Sequence, residues 1–154
     1  MIITNARIIT WDQKFSLLQE KDIKIDQDQI SEIRNRGELF ERFPDELVFD
    51  AQNKILMPGF ICAHTHFYGL FSRGLAIPGN PPQNFTEILQ KLWWPLDASL
   101  EAEDIKYCSL VCMIDAIKHG TTTLLDHHAS PLIIEGSLDL IENVFRNAGV
   151  RGSV

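Results

Sequence analysis

The chain has 154 residues, 45% of them hydrophobic and 23% charged, the balance of an ordinary globular protein and not of a disordered one. A formal net charge of -7 and a pI near 5.1 leave no basic patch for nucleic acid or an anionic membrane, so neither is an expected partner. Its three cysteines, Cys62, Cys108 and Cys112, include no Cys-x-x-Cys pair, which argues against a disulfide framework and for a reducing cytoplasm.

The first residues, MIITNARIITWDQK, carry no positive cluster ahead of an apolar core. No apolar run approaches the about 20 residues of a membrane span, so neither secretion nor membrane insertion is expected. Ile2 and Ile3, Ala6 to Thr10, and the strictly alternating Asp22-Ile23-Lys24-Ile25-Asp26 read as strands. The turn Asp26-Gln27-Asp28-Gln29 leads to Ile30 and Ile33 and predicts a hairpin. Gly37 to Phe43 predicts a short helix stopped by Pro44, and Leu47 to Ala51 a further strand. Residues 1–57 are therefore expected to form a small antiparallel β unit.

At Met57-Pro58-Gly59 the rhythm changes. Phe60 to His66 reads as a buried strand that starts at a Pro-Gly turn and leaves through two histidines one residue apart. Alternation along a strand puts Cys62, His64 and His66 on one face and Ala63 and Thr65 on the other. Two neutral imidazoles converging on one volume are a common half of a divalent metal site. The segment from Gly69 to Asn84 holds too many glycines and prolines for regular structure and reads as a functional loop.

Phe85 to Trp94 predicts a helix interrupted by Pro95, and Ser99 the N-cap of a second helix with Glu101 and Glu103 in its first turn. Ile105, Cys108, Cys112 and Ala116, flanked by Met113 and Ile117, form its apolar stripe, and Gly120 caps its end. Thr121 to Asp126 is a second buried strand whose exit is Asp126-His127-His128. Ser137 is expected to cap a third helix with Leu138, Ile141, Val144 or Phe145, and Ala148 inward, ending at Gly149. Val150 to Val154 begins another strand.

Strands alternating with helices, with polar residues at the strand exits, predict an α/β protein with a parallel sheet. In a (β/α)8 TIM barrel the active groups stand at those exits, where His64, His66 and Asp126-His127-His128 fall. The residues beyond Met57 are far fewer than the about 250 of a barrel. Residues 58–154 are expected to hold its first two strand-helix units, an incomplete barrel with open strand edges that favours self-association or a homo-oligomer.

Pro58-Gly59-Phe60-Ile61 leading into His64-Thr65-His66, then Arg73-Gly74, then His119-Gly120-Thr121-Thr122-Thr123 with Asp126, resembles the amidohydrolase superfamily. The match is to its aminohydrolase/chlorohydrolase, cytosine deaminase-like branch, and covers nearly the whole chain. The resemblance implies a metal-dependent barrel joined to a small β-sandwich made from both ends of the chain. It implies one divalent metal, zinc first and iron second, held in part by His64 and His66. The further histidines, the glutamate proton shuttle and the aspartate that complete such sites have no counterpart here, so the catalytic acid/base is unassigned. Cys62 stands where many relatives carry an Asp, which argues against a two-metal site.

The implied chemistry is hydrolysis of a non-peptide carbon-nitrogen bond, most directly deamination of an amidine-like or heterocyclic small molecule. The rival reading is a non-catalytic piece that works only when complemented by another chain. The His-x-Glu and Pro-Cys-x-x-Cys pattern of cytidine-type zinc deaminases is missing. Arg73 is either a clamp for a substrate carboxylate or a surface partner for an acid. Asp126, His127 and His128 either contribute to the pocket or cap the second strand by bonding to the following loop; alternation lets Asp126 and His128 share a face and excludes His127, and His128 is favoured as the substrate-pocket residue. Trp93, Trp94, Cys108 and Cys112 read as packing residues, and His119 as a surface residue at a helix end.

Overall fold

The computed structural model describes residues 1–14 and 16–154 and divides into two compact units, Met1–Pro58 and Gly59–Val154. In the first, left-handed backbone at Asn5, Glu20, Gln27, Gln52 and Asn53 turns the chain every few residues and keeps the strands short. These are β1 (Ile2–Thr4), β2 (Arg7–Ile9), β3 (Leu17–Leu18), β4 (Lys21–Asp26), β5 (Gln29–Asn35), β6 (Val48–Asp50) and β7 (Ile55–Leu56). Helix α1 (Glu38–Arg42) enters through Gly37 at φ 92° and buries Leu39 completely.

One sheet runs β5-β4-β1-β6 and the other β3-β2-β7. The predicted hairpin is β4–β5, turned at Gln27 and bulged between Lys24 and Ile25. Ile8 of one sheet meets Ile23 of the other, with Ala6 and Ala51, in one small core. The expectation of an antiparallel unit is corrected, because β1 pairs with β6, and β2 with β7, in parallel. Parallel neighbours need a long crossover, and the chain through β4, β5 and α1 supplies it.

Gly59–Val154 alternates strand and helix. Strand β8 (Phe60–Thr65) leads through a 3-10 turn, Phe67–Ser72, and a loop into α2 (Phe85–Ile88), a π-helical stretch Leu89–Trp93 and α3 (Trp94–Asp97). Then come α4 (Ala102–Lys118), β9 (Thr121–Asp126), α5 (Ser137–Ala148) and β10 (Arg151–Ser153). The three strands are parallel and lie side by side in sequence order, each pair joined through helices. Gly59 is required where β8 passes β9, since a Cβ there would sit 2.2 Å from Thr122 Cγ2. Phe67, Leu96, Ile105, Met113, Leu124 and Ile141 form the heart of the core between sheet and helices.

Five local expectations are corrected. The predicted loop begins as a 3-10 turn, because burial of Phe67 and Tyr68 pulls the chain into the core and Ser72 Oγ closes it on the Gly69 carbonyl at 2.6 Å. Pro95 does not interrupt its helix; the wider π turn just before it absorbs the missing N–H and the ring. Ser99 does not cap α4, since its hydroxyl donates back to Leu96, and Glu101 is the N-cap, its N–H bonded to Asp104 Oδ2 at 2.9 Å. Helix α5 starts from Gly136 at φ 80°, and Ser137 turns its hydroxyl to the Ile134 carbonyl. Leu138 and Ile117 face solvent, so the inward stripes are Ile141, Val144 and Phe145 on α5 and Ile105, Cys108 and Met113 on α4. Among the described residues no helix is long and apolar enough to cross a membrane.

Candidate active site

A bulge in β8 builds the site. Cys62 pairs with Leu124 and Thr65 with Asp126, so β8 has one more residue than β9 between the two pairings. Cys62 and Thr65 consequently line one cavity of about 360 Å³ under α4, and His64 and His66 do not. The expectation that Cys62 shares a face with the histidines is corrected, because alternation holds only along an unbroken ladder. Its half-buried thiol packs on the apolar core.

The two imidazoles do converge. His64 Nε2 and His66 Nε2 lie 3.1 Å apart, with the rings edge to face at 4.8 Å between centroids. His66 Nδ1 lies 2.8 Å from the His127 carbonyl oxygen, which can only accept, so Nδ1 carries the proton. In its neutral form the ring would therefore present a bare Nε2 lone pair, the arrangement of a metal-binding histidine fixed by its outer hydrogen bond. The donor set fits a borderline-soft divalent cation held at about 2.0–2.1 Å from each nitrogen. Two donors are half of a tetrahedral shell, and among the described residues no group of three His, Cys, Asp or Glu side chains converges on a metal.

Around this pair the structure gathers polar groups that the fold leaves open. Asp126 Oδ1 accepts the Phe67 N–H at 2.8 Å, but its Oδ2 is buried without a partner. Burial pushes the Asp126 carboxyl above its usual range against the pull of that hydrogen bond. Asp97, on α3, also has a buried oxygen without a partner, and desolvation raises its carboxyl while His66 draws it down. Tyr68 packs edge to face on His66 at 5.5 Å and on His128 at 6.0 Å, and its hydroxyl is pushed up by burial, then by Asp97 and Asp126. Trp93 stands 6.0 Å from Tyr68 and 6.5 Å from His66, so it packs as expected but on the site itself.

The other predicted residues divide. His128 is half-buried beside Tyr68; Ser130 Oγ donates to the Ile133 carbonyl and so accepts from His128 Nε2–H, which leaves His128 Nδ1 buried and open. His127, which alternation set aside, places its ring 5.3 Å from His66 as well as its carbonyl on the ring nitrogen. Arg73 lines the cavity under α4 with Asp115 and His119, apart from the ring contacts of His64 and His66. His119 is exposed against Asp115 on the same helix. The Cys108 and Cys112 thiols are pushed up to about 12 and about 11 by burial, so both are inert packing groups.

Sequence reasoning placed Asp126 at the strand exit with the pair but missed Asp97. Asp126 had a signal, an acid ending an apolar strand; Asp97 had none, since its place depends on the helix continuing through Pro95.

Residues 55–152 match the sequence model of the Amidohydrolase family. The chain is 34% identical over 126 residues to a 5'-deoxyadenosine deaminase of Methanosarcina acetivorans, covering 82% of this chain and 27% of that protein. It is 29% identical over 154 residues to a 5-methylthioadenosine/S-adenosylhomocysteine deaminase of Thermoanaerobacter pseudethanolicus, 99% of this chain and 32% of the relative. The chain thus spans between about a quarter and a third of the length of these relatives. Its fold is similar to guanine deaminase from C. acetobutylicum with bound guanine (TM-score 0.81, 18% identity) and to the atrazine chlorohydrolase TrzN of Arthrobacter aurescens TC1 complexed with zinc (TM-score 0.78, 20% identity). Each covers 98% of this chain and 34% of the solved one.

Proposed function

Since the chain belongs to the amidohydrolase family, we propose that it forms the metal-binding first part of a barrel hydrolase that deaminates an amino-substituted heterocycle. The observation that carries the reading is the 3.1 Å approach of His64 Nε2 to His66 Nε2, with the His66 proton held on the far side by the His127 carbonyl. His64 and His66 would hold one divalent cation, zinc before iron. When bound, such a cation supplies Lewis acidity and a hydroxide nucleophile at neutral pH. The chain's own groups orient the pair through His127 and wall it with the Tyr68 and Trp93 rings. Asp97 Oδ1 and His128 Nδ1 are buried acceptors without a partner, so they would accept from a small-molecule substrate only where its entry uncovers them.

The names of the relatives support an adenosine-like amidine as the substrate class, with loss of ammonia. Arg73 would serve only a substrate long enough to reach the cavity under α4. Three free thiols support a reducing cytoplasm, and exposed apolar residues such as Ile61 and Phe60 on β8 support self-association. One observation favours a second reading, a binding piece complemented by another chain: two imidazoles face the site with no third donor among the described residues.

The experiment is equilibrium dialysis of the 154-residue protein against zinc, followed by ammonia release from 5'-deoxyadenosine, S-adenosylhomocysteine and guanine. His64→Ala or His66→Ala should each cut zinc affinity at least about tenfold, since each leaves a single imidazole. Unchanged zinc content in both variants overturns the ligand assignment, and ammonia release by the 154-residue protein alone overturns the second reading.

A further inference from the structure

The end of β9 grips the end of β8 at three points. His127 N–H donates to the Thr65 carbonyl at 2.9 Å, His66 Nδ1–H donates to the His127 carbonyl at 2.8 Å, and Phe67 N–H donates to Asp126 Oδ1 at 2.8 Å. Thr65, His66 and Phe67 are consecutive, so the histidine is tied through its ring and through the backbone on both sides. The first two grips use the backbone of residue 127, which any residue offers. Of the groups contributed by β9 and the residue after it, only the third is a particular side chain.

That side chain is unusual in its place. Asp126 is 7% exposed, and burying a carboxylate costs several times what burying an apolar group would return. A fold that needed only a filled position at the end of β9 would be served by an apolar residue, as at Leu124. Nor does the fold use the whole group, since Oδ2 is left open. What Oδ1 does is fix the peptide immediately after His66 while the chain leaves the strand for the Phe67–Ser72 turn.

We infer that Asp126 is a positioning residue: by accepting the Phe67 N–H it holds His66 with Nδ1 on the His127 carbonyl and Nε2 against His64. Its consequence for metal rests on the ligand reading proposed above, whereas the three hydrogen bonds themselves do not depend on it. Outer-shell partners of ligating histidines typically contribute about 10- to 100-fold in metal affinity.

The test uses the 154-residue protein with Asp126→Ala, Asp126→Leu and Asp126→Asn. Ala and Leu remove the acceptor, Leu while filling the space, and Asn keeps an oxygen for the Phe67 N–H. Long-range ¹H–¹⁵N spectra of the metal-free protein report the His66 tautomer, circular dichroism reports folding, and cobalt(II) titration reports affinity. Folded Ala and Leu variants should lose the single Nδ1–H tautomer and bind cobalt about 10- to 100-fold more weakly, while Asn stays within about threefold of the parent. A folded Ala or Leu variant with the parent tautomer overturns the inference, and so does a folded Asn variant that has lost it. Melting of Ala and Leu also overturns it, because Asp126 would then serve folding alone. If His64→Ala leaves cobalt affinity unchanged, the ligand reading fails, and the tautomer measurement still decides the role of Asp126.

Discussion

Both units bury charged side chains, and they treat them in opposite ways. In Met1–Pro58, Asp22 is fully buried and both its oxygens are used, one by the Thr4 hydroxyl at 2.7 Å and one by the Gly37 N–H at 2.8 Å. Lys24 likewise reaches both Asp26 and Glu46. In Gly59–Val154, Asp97 Oδ1, Asp126 Oδ2 and His128 Nδ1 are buried without a partner; the His128 ring packs on Tyr68, whose hydroxyl feels the charge of both carboxylates. All five histidines of the chain fall in this second unit. The first unit satisfies its buried carboxylate, whereas the second leaves three buried polar atoms without a partner among the described residues, which costs stability.

The largest effect should come from breaking the satisfied side. Asp22→Ala leaves the half-buried Thr4 hydroxyl and Gly37 N–H without their acceptor and a gap in the core, at about 1 kcal/mol or more for each lost partner, so about 3 kcal/mol together. Urea unfolding should show a lower midpoint with an unchanged slope. Cobalt affinity of the protein that remains folded should not move. If it falls with stability, the first unit is not scaffold alone and the contrast fails.

The contrast also explains what could be read from the sequence. Element order in the second unit was legible, because Thr121–Asp126 and the stripes of α4 and α5 follow simple periods and Gly120 and Gly149 end helices in the left-handed region. The convergence of His64 and His66 was legible from spacing alone. What escaped depends on contacts distant in sequence. The bulge that sends Cys62 towards α4 exists only in the pairing with β9, and it also brings His127 to the pair. The parallel partners of β1 and β2 are likewise chosen by tertiary packing, which local alternation does not encode. The π turn that carries the chain past Pro95 to Asp97 has no composition signal at all.

A medium effect of opposite sign should come from closing one open atom. Asp97→Asn removes a charge that burial disfavours and whose buried Oδ1 has no donor; because the group is only half-buried, the variant should be more stable at neutral pH by at most about 1 kcal/mol. Metal affinity should hold, since Asp97 is not a ligand in this reading, while ammonia release from any substrate that donates to Asp97 should fall. A loss of stability equal in sign to that of Asp22→Ala would erase the distinction between the units.

The smallest effect is a pH dependence confined to the second unit. Burial first, and the neighbouring His127 next, hold the His128 imidazole below its usual 6.5. The unfolded chain takes up its proton near 6.5 and the folded chain resists, so the unfolded state binds more protons in the window just below that value. Stability from the neutral ring is therefore complete above 6.5, is lost as pH falls below it, and levels off once the folded ring also protonates. His128→Gln keeps a polar group and removes the titration. Urea melts between about pH 7.5 and 5 should give a steeper decline for the parent than for the variant, with the carboxylates common to both cancelling in the difference. Parallel declines would mean that His128 has solvent access in solution, and one of the three open atoms would then be satisfied by water like any surface group.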